Sequence, residues 1–198
     1  MKKQIRKGFR KTRYIFYQET LVDIKDHFWS FLGAFFGIGL IAFLQSQKIS
    51  EIDNIFLIGS FGASSVLIYG AVNSPLAQPR NLIGGHFLSA LVGVTVFKFL
   101  PEILWLNASV AVASSIVVMQ ITKTMHPPGG ATALIAVLPS EKIQELGYWY
   151  ALSPVLSGAV ILLVVALIFN NIPKGKKYPH HIRQSKYVHM RRMLKNKN

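Results

Sequence analysis

Two histidines stand beside small residues in the most apolar part of this 198-residue sequence. His126 precedes two prolines and the run Gly129-Gly130-Ala131-Thr132, and His86 follows a pair of glycines. A histidine within an apolar segment can donate to an anion or exchange a proton with it. It can equally hydrogen-bond a backbone carbonyl and hold a loop in place. The sequence leaves both roles open for both residues.

The residues after His126 predict a helix that is interrupted and begins again, as a short helix over 130–138. Proline lacks an N–H and favours extended geometry in the residue before it, and glycine permits close backbone approach. The first N–H groups of a helix have no partner within it, and together they carry about half a positive charge. Free N–H groups at 129–132 would therefore attract an anion.

An earlier stretch predicts a second short helix, over 62–70. A shift of 68 residues aligns Gly62 with Gly130 and Ser64 with Thr132. We therefore predict two three-helix repeats of inverted topology, with the N-termini of both short helices near the bilayer midplane. The predicted substrate-binding residues are Gly62, Ala63, Ser64, Ser65, His126, Gly129, Gly130, Ala131 and Thr132.

Several polar residues near these helices are candidates for a pathway or a gate. Arg80 and Lys123 could guide anions, or they could set topology and extend toward the lipid headgroups. Gln78 and Asn81 could line a path or cap helices. The predicted pathway or gating residues are Gln78, Arg80, Asn81, His86 and Lys123.

The charge distribution favours a membrane protein over a nucleic-acid-binding protein. Lysine and arginine number 22 against 8 acids, and 51% of residues are apolar. Eight of the basic residues precede Phe28 and nine follow Pro173. A nucleic-acid-binding domain would spread them over a folded face, whereas cytoplasmic ends flank an apolar block. We therefore expect no nucleic acid partner, and we expect the basic ends to contact anionic lipid.

The domain prediction follows from this distribution. Residues 1–27 and 171–198 are predicted to be basic cytoplasmic segments, and 28–170 a transmembrane domain that is all-α and polytopic. Two cytoplasmic ends require an even number of crossings. Six crossings place Arg80 and Lys123 inside and are favoured. The alternative has four spanning helices plus two re-entrant segments.

Enzyme chemistry finds little support in the sequence. There is no cysteine, no pair of carboxylates within the apolar spans, and no phosphate-binding Walker motif. The two central histidines have no acidic partner in those spans, so a metal site would lack ligands. We predict a protein that is not an enzyme, with no catalytic residues, no metal and no cofactor.

Two motifs carry a family resemblance. The run 125–134, Met-His-Pro-Pro-Gly-Gly-Ala-Thr-Ala-Leu, resembles the signature of the HPP family of integral membrane proteins. The stretches 60–67, 74–81 and 84–86 resemble that family's other hallmark, and the resemblance runs over about 28–169. It implies a link to nitrite transport, because plant and cyanobacterial relatives are associated with it. Some members carry a C-terminal CBS domain, which is not expected in these residues.

The function predicted from the sequence is a transporter or channel for a small inorganic anion, with nitrite favoured through the resemblance. The alternative is a membrane scaffold or sensor that transports nothing and acts through its basic cytoplasmic ends. A chain of this length is small for a transporter, so a homo-oligomer is expected. The expected location is a bacterial plasma membrane, with both termini cytoplasmic.

Overall fold

A computed structural model describes residues 24–46, 51–173 and 175–180. Seven α-helices form its framework within these ranges, and they are α1 Ile24–Ser46, α2 Glu51–Ser65, α3 Pro79–Phe99, α4 Leu104–Thr122, α5 Pro128–Ile135, α6 Glu141–Leu146 and α7 Ser157–Phe169. A π-helical turn Val66–Gly70 extends α2, and a 3-10 turn Pro75–Ala77 precedes α3. A kinked π-helical segment, Ala151–Leu156, leads into α7. Most of the predicted basic segment 1–27, and residues 181–198 of the predicted tail, lie outside the described residues.

Four helical segments are long and apolar enough to span a membrane: Lys25–Ser46, Pro79–Phe99, Leu104–Thr122 and Ala151–Phe169. Such runs fold as helices because lipid offers no partner for backbone N–H and C=O groups. Large apolar side chains remain exposed on the outside of the bundle, as on Phe31 of α1 and Ile121 of α4. The prediction of an all-α polytopic membrane protein is confirmed.

Contacts at the two ends of the bundle define its two faces. At one end, which we call the terminal face, the Nζ of Lys176 lies 3.0 Å from Oδ1 of Asp26, and Arg80 donates to the carbonyl of Thr122. At the other end, the far face, Thr95 contacts the hydroxyl of Tyr148 at 3.2 Å. Gln45, at the end of α1, donates to the carbonyl of Pro154 on this far face.

The chain passes six times between these faces. The second pass is α2 with its π-helical turn, which reaches the terminal face where Asn170 donates to the carbonyl of Ile68. The fifth pass is residues 123–139, in which an extended stretch leads into α5. Asn81 binds the carbonyl of Met125 at its start, and Pro139 at its end lines the same cavity as Leu104, the first residue of α4. Helices related by the predicted repeat therefore run in opposite directions.

The predicted helix break at Gly62 is wrong. Residue 62 lies inside α2, which runs from Glu51 to Ser65 without interruption. A glycine costs a helix only about 1 kcal/mol relative to alanine. In lipid, a broken helix leaves backbone groups without partners, which costs more than that. The second predicted short helix does exist, and it begins two residues early, at Pro128.

Two connections between helices have structure of their own. Gln78 is the last residue before α3, which begins at Pro79 and includes Arg80 and Asn81 in its first turn. Proline suits the first helical position, where no N–H partner is required. The polar connection after α5 contains α6, whose N-cap Ser140 accepts from the N–H of Ile143.

The segment 175–180 packs on the terminal face. The Tyr178 hydroxyl donates to the carbonyl of Ala77 at 2.8 Å, and the N–H of His180 donates to the side chain of Gln78. Burial raises the pKa of the Tyr178 hydroxyl above its ordinary value, so it remains a donor. Part of the predicted C-terminal tail is thus attached to the bundle.

Candidate functional site

A cluster of buried polar side chains lies between α2, α3 and α5. Ser64 comes from α2, His86 from α3, His126 from the extended stretch before α5, and Thr132 from α5 itself. Each is at most 1% exposed. We call these four residues the central cluster. Polar groups so deeply buried need partners, and each member finds its partners mainly among the others.

Hydrogen bonds link the cluster in one continuous chain. The Oγ of Ser64 lies 2.7 Å from Nε2 of His86 and 2.9 Å from Nε2 of His126. The Nδ1 of His86 lies 2.7 Å from Oγ1 of Thr132. The Nδ1 of His126 lies 2.9 Å from the carbonyl oxygen of Leu76. One hydroxyl thus connects the two imidazoles, whose ring centroids are 5.0 Å apart.

The carbonyl of Leu76 fixes the direction of this chain. A carbonyl oxygen only accepts, so Nδ1 of His126 carries a hydrogen, and in the neutral ring its Nε2 must accept. Ser64 therefore donates to His126 and accepts from Nε2–H of His86. The Nδ1 of neutral His86 then accepts from the hydroxyl of Thr132. Donation therefore runs from Thr132 through His86 and Ser64 to His126. A proton that reaches Nδ1 of His86 can be passed through Ser64 to Nε2 of His126, while the bond from His126 to the carbonyl of Leu76 keeps its direction.

Glycines bring the two histidines together. A Cβ atom added to Gly85 would collide with the Cβ of His126 and would lie 3.0 Å from the carbonyl oxygen of Thr124. Only glycine therefore lets the extended stretch 123–127 lie against α3 at this point. The two prolines then prevent α4 from continuing and start α5 from the same place.

The expected free N–H groups at the start of α5 are not found at its glycines. The N–H of Gly129 donates to the carbonyl of His126 at 2.8 Å, and that of Gly130 donates to Pro127 at 3.0 Å. A Cβ atom on Gly129 would lie 2.8 Å from the carbonyl oxygen of Gly85, so α3 already occupies this space. With Gly62 inside α2 as well, the predicted pair of opposed helix N-termini is wrong.

The remaining predicted binding residues lie apart from the central cluster. Ala63 and Ala131 are exposed on the outside of the bundle, and Gly62 and Gly130 are half-buried. Ser65 is buried, but its hydroxyl has no hydrogen-bond partner.

The predicted pathway residues, apart from His86, lie at the terminal face. Gln78 donates to the carbonyls of Val72 and Ser74. Arg80 and Asn81 bind the carbonyls of Thr122 and Met125, so they tie α3 to the end of α4. Lys123 is exposed and ends α4 with a left-handed backbone, φ 57°.

Two residues of this site were missed. The Oγ of Ser60 lies 2.9 Å from Oγ1 of Thr132, and the Tyr150 hydroxyl donates to the carbonyl of Thr132 at 3.1 Å. Ser60 could have been found, because it precedes Ser64 by one helical turn and shares its face. Tyr150 is fully buried, unlike its exposed neighbours Tyr148 and Trp149, so its position in the sequence did not indicate it.

The ionisable groups of the cluster are two imidazoles, which can take up and release protons. Within the residues that the structure describes, no group of three or more histidine, cysteine or acidic side chains lies close enough to hold a metal ion. The described buried residues include two that can gain a positive charge, His86 and His126. Protonation of either one would place a cation in the core of the bundle.

Comparison with known proteins supports the resemblance noted in the sequence. The family model described as "HPP, transmembrane region" matches residues 19–179. Two transmembrane proteins of Dictyostelium discoideum are 46% and 44% identical over 163 residues, which is 79% of this chain. The match covers 51% and 56% of those proteins, so the chain spans about half the length of these relatives. No solved structure matches.

Proposed function

Because the chain belongs to the HPP family of integral membrane proteins, we propose that it transports a small inorganic anion and that nitrite is the favoured substrate. Membership of the family suggests a transporter-like role in the membrane. Nitrite comes from the resemblance to plant and cyanobacterial members. One structural observation carries the proposal: Ser64 joins two fully buried histidines in the core of the bundle.

The charge balance of the core explains why this observation favours a proton-linked anion. An anion in a low-dielectric core needs a positive partner. The side chains of Arg80 and Lys123 lie at the terminal face, and Lys98 lies at the far face. Among the described residues, a positive charge inside the cluster must therefore come from a proton taken up by His86 or His126. We propose that the anion crosses together with a proton.

The central cluster is the proposed binding site, in place of the helix N-termini predicted from the sequence. Protonated histidine donates from both ring nitrogens, and the hydroxyls of Ser64 and Thr132 can donate as well. Several donors would thus converge on a small oxyanion once the pair is charged. The cluster has no carboxylate that would repel the anion.

The test is nitrite uptake into proteoliposomes that contain the purified protein, with chloride, nitrate and formate as competitors. Protein-free liposomes measure the passage of nitrous acid through the lipid. We expect saturable uptake, and we expect Ser64→Val to reduce it by about tenfold because the two histidines lose their shared partner. Ser115→Ala is the matched control, since the buried Ser115 hydroxyl bonds only within α4.

Two outcomes would contradict the proposal. Transport of nitrite would be excluded if a monodisperse and correctly inserted preparation takes up nitrite no faster than protein-free liposomes do. Equal losses in Ser64→Val and Ser115→Ala would remove the central cluster from the transport path. A role as a scaffold or sensor would then be the better explanation, and truncation after His180 would test it without disturbing the contact of Tyr178.

The other expectations remain proposals. We propose cytoplasmic termini, because Lys25, Arg80 and Lys123 belong to the same face. We also propose a homo-oligomer, contact with anionic lipid, no nucleic acid partner and no enzymatic activity. The expectation of a bacterial membrane gains no support from relatives in Dictyostelium discoideum.

A further inference from the structure

A cavity of about 250 Å³ opens at the far face of the bundle. It lies where α3 ends, α4 begins and the fifth pass turns into α6. Its apolar walls include Phe97, Leu104 and Pro139, and its polar groups come from Glu102, Asn107 and Gln144. The cavity is distinct from the central cluster, because none of the four cluster residues lines it.

The side chain of Asn107 points to a ligand in this cavity. Asn107 is only 3% exposed, and its Oδ1 atom has no hydrogen-bond partner. A buried carbonyl oxygen without a partner destabilises a fold unless something else satisfies it. Other asparagines of the bundle use their side chains to bind backbone carbonyls, as Asn81 and Asn170 do. Asn107 lines a cavity instead.

The other polar groups of the cavity also offer oxygen. The amide nitrogen of Gln144 donates to the carbonyl of Leu138 at 3.3 Å, so its Oε1 atom is the end that remains for a ligand. Glu102 adds a carboxylate. The nearest lysine of α3, Lys98, lies over the ring of Tyr148 and against Gly147, and it does not line the cavity.

We propose that this cavity binds a small monovalent cation, an alkali ion or ammonium. Its polar lining has three side chains with acceptor oxygens and a single negative charge, which suits one positive charge. Divalent ions such as calcium bind where more carboxylates converge. An anion would meet the Glu102 carboxylate. The site is independent of the transport proposal, because it requires neither flux nor the histidines.

The test is cation binding by the purified full-length protein in detergent, measured by thermal unfolding. Sodium, potassium and ammonium chlorides are titrated against choline chloride at constant ionic strength. We expect at least one cation to raise the unfolding temperature saturably. Glu102→Gln and Asn107→Leu should each weaken the apparent affinity by about tenfold. Glu145→Gln is the matched control, because this exposed acid of α6 does not line the cavity.

A second substitution keeps the test decisive if Asn107→Leu does not fold. Asn107→Asp adds a negative charge at the same position, so we expect it to bind the cation more tightly than the wild type. The proposal is overturned if no cation differs from choline, or if Glu102→Gln and Glu145→Gln change affinity equally. It is also overturned if Asn107→Asp folds and shows no gain.

Discussion

The Oγ of Ser64 lies 2.9 Å from Nε2 of His126, a residue 62 positions further along the chain. Because the other nitrogen of His126 donates to the carbonyl of Leu76, the hydroxyl must donate to the neutral ring. It can then only accept from His86. The protonation state of one histidine therefore determines which hydrogen bond the other can make, and the two act as a pair.

The pH dependence of uptake should reveal this pair. If the anion crosses with a proton taken up by the histidines, uptake falls as the pH rises, because fewer protons are available to charge the pair. His126→Gln keeps a side chain that can donate and accept but cannot become charged. We expect this variant to show slow uptake with a flat pH profile, after subtraction of the protein-free rate. An unchanged profile would exclude His126 from proton exchange.

The six-pass path predicts which positions share a side of the membrane. The chain has no cysteine, so single-cysteine variants can be labelled without background. Asn73→Cys and Lys177→Cys lie on the terminal face and should react with a membrane-impermeant maleimide from the same side. Glu141→Cys should react from the opposite side. Four crossings with re-entrant segments would instead place Asn73 opposite Lys177.

Close packing of α5 on α3 predicts a difference between two glycines. A Cβ atom on Gly93 would lie 2.5 Å from the carbonyl oxygen of Ala133, whereas one on Gly62 meets nothing within 4 Å. Gly93→Ala should destabilise the protein by about 1–3 kcal/mol through overpacking. Gly62→Ala should be neutral or stabilising, since alanine favours a helix. Thermal unfolding in detergent measures both, and equal effects would contradict this packing.

The hydroxyl of Tyr178 should stabilise the attachment of segment 175–180. Tyr178→Phe removes its donation to Ala77 and should cost about 1 kcal/mol. Because burial raises the pKa of Tyr178, its contribution is present at neutral pH and is lost as the pH rises above about 10. Tyr148→Phe, at an exposed tyrosine, is the control. If the wild type and Tyr178→Phe have equal free energies of unfolding at neutral pH, this hydrogen bond contributes nothing to stability.

Most of the fold could be predicted from the sequence, because the lengths of the apolar runs and the positions of the prolines indicate where membrane helices run and break. The sequence predicted an all-α polytopic domain over 28–170 and the interruption at His126. The prediction at Gly62 failed because the small residues there resemble those at the start of α5. However, α2 lacks the prolines that interrupt a helix. Helix α6 is only six residues long and too short for a periodic signal.

The central cluster could be predicted only in part. His86, His126, Ser64 and Thr132 were each candidates, but nothing in the sequence showed that Ser64 contacts both histidines. That contact depends on the distance between α3 and the extended stretch before α5. The absence of a side chain at Gly85 allows the two to pack closely. The carbonyl of Leu76 belongs to a short 3-10 turn, and backbone acceptors leave no signal in side-chain identity. The position of Tyr150 required the fold as well.

Proton movement driven by nitrite tests the central proposal most directly. Proteoliposomes loaded with a pH-sensitive dye receive an inward nitrite gradient at constant external pH, with protein-free liposomes as the background. We predict that the wild type acidifies the lumen faster than the background and that a variant with both His86→Gln and His126→Gln does not. The contradicting result is a wild type that takes up nitrite but acidifies the lumen no faster than the double variant does. Transport would then not be linked to protons through this pair.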